Sequence, residues 1–290
     1  VAEHPHPVTD EPIGELLEFD VINETGSKMW TNIHLEEAGK PAAFPSAHNR
    51  HPKGNANAAR MICLARKYMP DARLVVLEGW PIGDLESGSA KRIHRHFSKM
   101  FDRDSTNPQV RQVARDERVL LGTQGHFSAI DRSKITMDRI NAGFEHFAKF
   151  GKQIVVTEYD PPTVMRERKD LYRFRLTPEE QAAWSVNFHT LAFSKPYIRQ
   201  ISRWAMSDRQ GQKVDAGLLF ADGRKKPEYH ALRELINETW TTRHSGELSD
   251  TGTAEFRGFY GTYEVTLLGR PSFRFTLSVS GPRHTIVTVR

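Results

Sequence analysis

Two glutamates each follow a short apolar run and stand where a strand would end. Glu24 closes the run FDVIN at 19–23, and Glu158 closes the run IVVT at 154–157. Runs of this kind predict buried strands, which would carry both carboxylates to the mouth of a barrel. Two carboxylates that face each other can act as nucleophile and general acid/base on a glycosidic bond. The sequence therefore predicts a two-carboxylate site assembled from distant parts of the chain.

The segments around these glutamates alternate between strand-like and helical patterns. Strands are predicted at 16–22, 73–77, 119–123, 153–157 and 197–206, and helices at 55–68, 108–115, 134–150, 177–194 and 227–239. A capping box beginning at Thr177 marks the start of one helix. The charged segment 83–107 is interpreted as a long connection. Apolar strands that alternate with helices predict a parallel α/β sheet buried on both faces.

The pattern changes after Trp240. Residues 244–253 are polar, and the runs 264–267 and 273–279 alternate apolar and polar side chains, which is typical of antiparallel strands. We therefore expect a barrel-type domain over residues 1–243 and a small antiparallel β appendage over residues 244–290. The aromatic side chains of the appendage either stack on sugar or fasten it to the barrel, and we favour the second role. They are Phe256, Phe259, Tyr260 and Tyr263.

Composition excludes several classes of function. Of the 290 residues 38% are hydrophobic and 27% charged, and no apolar run approaches the ~18 residues of a membrane span. The net charge is +5, but the basic residues are scattered, so we expect neither a nucleic-acid partner nor a membrane partner. Cys63 is the single cysteine, which excludes an internal disulfide. The histidine spacings are not those of a metal site, and we expect no metal or other cofactor.

Five segments, in order, resemble motifs of family 10 glycoside hydrolases, the endo-1,4-β-xylanases. DVINE at 20–24 resembles W-D-V-x-N-E, and GTQGHF at 122–127 resembles G-x-Q-x-H. TEYD at 157–160 resembles T-E-L-D, and ISRWAMSD at 201–208 is similar to W-G-x-x-D. GLLF at 217–220, followed by KPEYHAL at 226–232, completes the series. The resemblance covers about residues 14–240.

The resemblance implies a (β/α)8 barrel that cleaves xylan or a related β-1,4 glycan with retention of configuration. It implies that Glu158 is the nucleophile and Glu24 the acid/base, with carboxyl groups about 5–5.5 Å apart. The charge of Glu158 would keep Glu24 protonated for donation to the leaving oxygen. Substrate-binding or orienting roles fall to four further residues. They are Asn23 at the sugar 2-hydroxyl, Gln124, His126 beside the nucleophile, and Trp204 as a stacking floor.

The chain departs from the family most at its start. In the family the acid/base glutamate ends the fourth barrel strand, whereas here it is residue 24. We therefore expect only strands four to eight of the barrel, so the substrate-binding residues of strands one to three are missing. A preceding segment of a longer protein or a second chain would complete the barrel. The other explanation is a degenerate descendant that packs differently.

Smaller departures concern the substrate cleft. Phe19 replaces the motif tryptophan, and Tyr159 replaces the leucine after the nucleophile. The second predicted strand ends in LEGW at 77–80, where the family usually has an Asn-Asp-Tyr-like segment. Because Glu78 and Trp80 stand at a strand end, we expect them to line an altered cleft.

Two hypotheses follow for function. The first is a retaining endo-β-1,4-xylanase-like hydrolase, secreted or periplasmic because its substrate is a polymer. The second is an inactive fragment or a non-catalytic carbohydrate-binding remnant, because a partial barrel leaves the cleft one-sided. Detection of released xylo-oligosaccharides would separate them.

Overall fold

A five-stranded parallel sheet forms the centre of the molecule. The computed structural model describes residues 4–5, 12–13, 17–24, 54–79, 82–127, 135–162, 176–209 and 215–278. A short antiparallel pair, β1 (His4–Pro5) and β2 (Pro12–Ile13), precedes the sheet. The sheet strands, in spatial as well as chain order, are β3 (Glu18–Asn23), β4 (Arg73–Glu78), β5 (Val119–Thr123), β6 (Ile154–Tyr159) and β7 (Ile198–Arg203). This order, with helices between consecutive strands, confirms the predicted partial barrel.

Within the described residues, six helices flank the sheet. They are α1 (Gly54–Tyr68), α2 (Gly88–Met100), α3 (Pro108–Arg115), α4 (Met137–Ala148), α5 (Pro178–Phe193) and α6 (Pro227–Glu234), the last continued by a π-helical turn at Leu235–Thr239. The capping box is present: the Thr177 hydroxyl accepts a hydrogen bond from Glu180 N at 3.2 Å, and the Glu180 carboxylate accepts one from Thr177 N at 2.8 Å. Both bonds satisfy amides that a helix start leaves without partners.

Strands β4 and β5 are buried on both faces. Leu74 and Val76 of β4 pack in the main core beneath the helices, whereas Val75 and Leu77 belong to a small cluster on the opposite face. This explains why their sequence is continuously apolar rather than alternating. Within the described ranges, no helix is both long and apolar enough to cross a membrane.

An ion pair between the two outer strands reveals the curvature of the sheet. Arg199 Nε of β7 lies 3.7 Å from Glu18 Oε2 of β3. Four strand spacings would separate these strands by about 19 Å in a flat sheet, beyond the reach of two side chains. The sheet therefore curls as a barrel segment does. Burial raises the pKa of Glu18, although the charges of Arg199 and Arg73 oppose that rise.

The prediction that 83–107 is one long connection was wrong, because helix α2 lies within it. Ser87 caps the helix by accepting a hydrogen bond from Ala90 N at 3.1 Å. Ile93 and Phe97 of this helix are buried against the sheet. Charged residues between these apolar positions hide the helical spacing from inspection, since they occupy the exposed face of the same turns.

The C-terminal strands β8 (Gly261–Val265) and β9 (Phe273–Leu277) form an antiparallel pair, as predicted. Ahead of them, the ring of Phe259 contacts Phe193 of α5, with 5.5 Å between centroids. Trp240 stacks on the same phenylalanine at 4.1 Å. These contacts join the segment ahead of β8 to helix α5, and the fastening role of the aromatic side chains stays a prediction. Tyr260 is 64% exposed, and the boundary at 243/244 stays a prediction.

Candidate active site

The candidate site lies at the carboxyl edge of the sheet. Backbone hydrogen bonds hold the residues that follow β3 and β5: Glu24 N donates to Leu77 O of β4, and Gln124 O accepts from Glu158 N of β6, each at 2.8 Å. These bonds fix the first loop residues after the strands. The edge thereby brings together most of the residues selected from sequence, which are Asn23, Glu24, Gln124, His126, Glu158 and Trp204.

His126 bridges two carboxylates. Its Nε2 lies 3.0 Å from Glu158 Oε2, and its Nδ1 lies 2.8 Å from Asp160 Oδ2. The other oxygen of Asp160 accepts a hydrogen bond from Phe127 N at 2.8 Å. Only the imidazolium form can donate to both carboxylates at once. Burial of the ring favours the neutral form, but the hydrogen bonds to Asp160 and Glu158 outweigh burial and raise the pKa of His126 to about 9.

The two hydrogen bonds to carboxylates should change the pH at which His126 loses its proton. We expect the His126 imidazole to titrate near pH 9, against about 6.5 for an ordinary histidine, in an NMR titration of labelled protein. Because the folded-state pKa is raised, the stabilisation is fully present below about pH 6.5 and is lost as pH rises through 9. Asp160→Asn should lower the midpoint. Asp222→Asn, at a surface carboxylate paired with Arg224, is the control. A parent midpoint at or below 6.5 would contradict the double bridge.

Glu24 is held by an amide rather than by an imidazole. Gln124 Nε2 donates to Glu24 Oε1 at 2.6 Å and lies 3.4 Å from Asn23 Oδ1. Gln124 is only 8% exposed, so its amide has few other positions to adopt. Glu24 itself has φ +59°, a left-handed conformation that costs a non-glycine residue about 1–3 kcal/mol. Such strain is found where the surrounding structure holds a functional group in place.

Gly79 lies directly against this pair. A methyl group there would come within 2.6 Å of Gln124 Oε1 and 3.3 Å of Glu24 Oε1. We expect Gly79→Ala to displace Gln124 and to lower any activity that depends on Glu24 by about 10²-fold, the effect of a misplacement of about 1 Å. Gly88→Ala is the matched control, because a methyl group there meets only Arg92 Nη1 at 3.9 Å. Rates and melting temperatures of both variants test this, and equal rates would contradict the close packing.

Trp204 provides an exposed aromatic surface next to the His126 bridge. The two rings meet edge to face with 5.6 Å between centroids, and Trp204 is 44% exposed. Its backbone N donates to Tyr159 O at 3.0 Å, which ties it to the strand that carries Glu158. An exposed indole fixed in this way can accept the apolar face of a sugar ring. Trp80 lies outside the described residues.

Glu78 was wrongly expected to line the cleft. Its side chain is fully buried on the helix-facing side of the sheet, and its Oε1 lies 3.5 Å from His96 Nε2 of α2. Side chains alternate between the faces of a strand, so Leu77 and Glu78 must point in opposite directions. Burial lowers the pKa of His96 to about 4, and this imidazole is therefore neutral at physiological pH.

Two site residues were missed by sequence reasoning. Asp160 orients His126, and the available signal was the i, i+2 spacing of Glu158 and Asp160 at one strand end. Partial burial and the charge of Glu158 raise the pKa of Asp20 of β3, which indicates that these two carboxylates lie within electrostatic reach of each other. Among the residues that the structure describes, no group of three or more His, Cys, Asp or Glu side chains could hold a metal ion.

Solved xylanases share this fold. Xylanase 10B from Thermotoga petrophila RKU-1, in complex with xylobiose, has a TM-score of 0.51 at 19% identity, over 77% of this chain and 60% of that one. A GH10 protein from Paenibacillus barcinonensis gives 0.51 at 18% identity, over 79% and 64% of the respective chains. The CBM22-1–GH10 modules of Clostridium thermocellum endo-1,4-β-D-xylanase 10B, complexed with xylohexaose, give 0.52 at 14% identity, over 80% and 42%.

Sequence comparison finds a relative of another kind. The anti-sigma-I factor RsgI6 of Acetivibrio thermocellus is 29% identical over 174 residues, which is 58% of this chain and 20% of that protein. No protein-family model matches the chain. The chain spans about a fifth of this relative, and about two fifths to just under two thirds of the three solved structures. Over its described part, the chain therefore has the fold of a partial (β/α)8 barrel of the family 10 glycoside hydrolase type.

Proposed function

We propose that the chain carries the catalytic edge of a retaining endo-β-1,4-xylanase-like hydrolase. Glu158 is the nucleophile and Glu24 the general acid, then base. The substrate is xylan or a related β-1,4 glycan. Because this substrate is a polymer, the protein acts as a secreted or periplasmic enzyme. A preceding segment or a second chain supplies the remainder of the barrel.

The Glu158–His126–Asp160 bridge is the observation that carries this proposal. A nucleophile must stay ionised and must keep its lone pair aimed at the reacting carbon. The imidazolium of His126, 3.0 Å from Glu158 Oε2, supplies a positive charge and a fixed hydrogen bond. Asp160 holds the other ring nitrogen at 2.8 Å, so the ring cannot turn away.

The reaction has two steps in this arrangement. Glu158 attacks the anomeric carbon while the bond to the leaving oxygen breaks and Glu24 donates its proton to that oxygen. Glu24, now ionised, then takes a proton from water, whose oxygen displaces Glu158 from the sugar and regenerates both carboxyl groups. Gln124 keeps Glu24 in place through the 2.6 Å hydrogen bond. Asn23 binds the sugar 2-hydroxyl, and Trp204 supports the ring.

Xylohexaose digestion tests this function directly. The 290-residue chain is compared with a Glu24→Gln/Glu158→Gln double variant purified in the same way, which excludes a contaminating xylanase. We expect new reducing ends from the parent alone, first detected by NMR as the β anomer. Product of the α anomer would contradict the double displacement, and equal rates from both proteins would contradict catalysis by these glutamates.

A non-catalytic glycan-binding role is the second candidate. It is favoured by the 29% identity to an anti-sigma-I factor, a regulator by its name, and by the partial barrel, which leaves the cleft one-sided. In that case xylohexaose binds, as measured by calorimetry, but no reducing ends are released. Trp204→Ala should then weaken binding, whereas Glu158→Gln should leave it nearly unchanged.

A further inference from the structure

A buried polar network lies on the helix-facing side of the sheet, behind the candidate site. Arg203 of β7 makes a two-pronged ion pair with Glu228 of α6, at 2.5 Å from Nη1 to Oε1 and 2.9 Å from Nη2 to Oε2. The Ser185 hydroxyl of α5 lies 2.5 Å from the same Oε1, and the Tyr159 hydroxyl lies 2.7 Å from Ser185 Oγ. Arg203 also donates to Ala216 O.

The direction of each hydrogen bond follows from chemistry. The Glu228 carboxylate can only accept, so Ser185 donates to it, and Tyr159 in turn donates to Ser185. Tyr159, Ser185 and Glu228 are fully buried. The guanidinium of Arg203 also lies 5.3 Å from the centroid of the Tyr159 ring, where a cation is attracted by the aromatic face. The four side chains therefore form one connected network, in which the positive charge of Arg203 balances the negative charge of Glu228.

Each end of this unit is covalently next to a site residue. Tyr159 stands between Glu158 and Asp160, the two carboxylates that hold His126. Arg203 immediately precedes Trp204, whose backbone N donates to Tyr159 O at 3.0 Å. The Tyr159 ring is also fixed by near-parallel contacts with Phe188 at 4.9 Å and Trp184 at 6.4 Å. Movement of the network would therefore move Glu158 and Trp204 together.

We infer that Tyr159, Ser185, Glu228 and Arg203 are positioning residues, which fix the Glu158–His126 pair and the Trp204 ring relative to each other from behind the sheet. The tyrosine hydroxyl supplies the contact that joins strand β6 to helix α5 through Ser185. In a partial barrel, helices α5 and α6 supply the support that a closed ring of strands would otherwise share. The expected effect on kcat rests on the proposed function. The expected effect on the position of the Glu158–His126 pair does not.

The test removes one hydroxyl and keeps the ring. Tyr159→Phe is compared with Tyr263→Phe, a matched control in which the lost hydroxyl donates to Phe259 O at 2.6 Å in the C-terminal region. Two readouts are taken: the His126 titration midpoint by NMR, and kcat and KM on an aryl β-xylobioside. We expect Tyr159→Phe alone to lower the His126 midpoint and to lower kcat about tenfold, with less change in KM, because a small misplacement of the nucleophile mainly affects the chemical step.

The NMR readout separates the inference from the proposed function. If the parent does not hydrolyse the xylobioside, the proposed function fails, and the shift of the His126 midpoint still decides the positioning role. A midpoint and kcat equal to those of the parent would overturn the inference, even with a lower melting temperature, because the network would then only stabilise the fold. Glu228→Gln, which leaves Arg203 without its ion pair, provides a stronger perturbation and should shift both readouts further.

Discussion

Glu158→Ala is expected to lower hydrolysis of xylohexaose by at least about 10⁴-fold, in the range seen when a covalent nucleophile is removed. Its carboxylate lies 3.0 Å from Nε2 of the His126 imidazolium, which holds it in place for attack. Without it no glycosyl-enzyme bond can form. Initial rates of reducing-sugar release, measured with excess variant to detect slow turnover, check this expectation.

Azide distinguishes loss of the nucleophile from loss of the fold. In Glu158→Ala the anion can enter the vacated space and attack the anomeric carbon from the nucleophile's side, so a glycosyl azide of inverted configuration should form. Glu86→Ala is the control, because Glu86 lies in an exposed ion pair with Lys91, whose side chains are 86% and 58% exposed. Full activity in Glu158→Ala would disprove the assignment, as would a product that retains its configuration.

The positions of the strands could be predicted because burial on both faces leaves a plain signal. In β4 every residue from Leu74 to Leu77 is apolar, and all four are buried. The carboxyl ends of such parallel strands must meet at one edge, so Glu24 and Glu158 could be grouped before their contacts were known, whereas Gln124 and His126 were selected through the resemblance of GTQGHF to a family motif. The helix that begins after Thr177 could also be predicted, because a capping box is a pattern of residues close together in the sequence.

Long-range pairing could not be predicted in the same way. Arg203 and Glu228 lie 25 residues apart, and nothing in either local sequence marks them as partners. The curl that brings Arg199 to Glu18 depends on strand twist summed over the whole sheet. Helix α2 was missed because its exposed face is strongly basic. The direction of Glu78 could have been predicted, since its neighbour Leu77 faces the other side.

Glu24→Ala should lower the rate of hydrolysis by an amount that depends on the leaving group of the substrate. Hydrolysis of xylohexaose, whose leaving sugar needs a proton, should fall by about 10²–10⁴-fold, the usual contribution of general acid–base catalysis. A dinitrophenyl β-xylobioside needs no proton on departure, so its first step should be nearly as fast as in the parent. We therefore expect stopped-flow absorbance to show a burst of dinitrophenolate followed by slow turnover.

Hydrolysis of the glycosyl-enzyme, the slow second step, distinguishes the role of Glu24 from that of Glu158. In Glu24→Ala the glycosyl-enzyme still forms, and azide should attack it from the face that water would use. The product then retains its configuration, opposite to the product expected for Glu158→Ala, because two inversions occur instead of one. Glu24→Gln keeps the hydrogen-bonding partner of Gln124 and should show the same burst. An equal loss on both substrates, without a burst, would mean that Glu24 holds the loop through its strained backbone and Gln124 contact rather than transferring a proton.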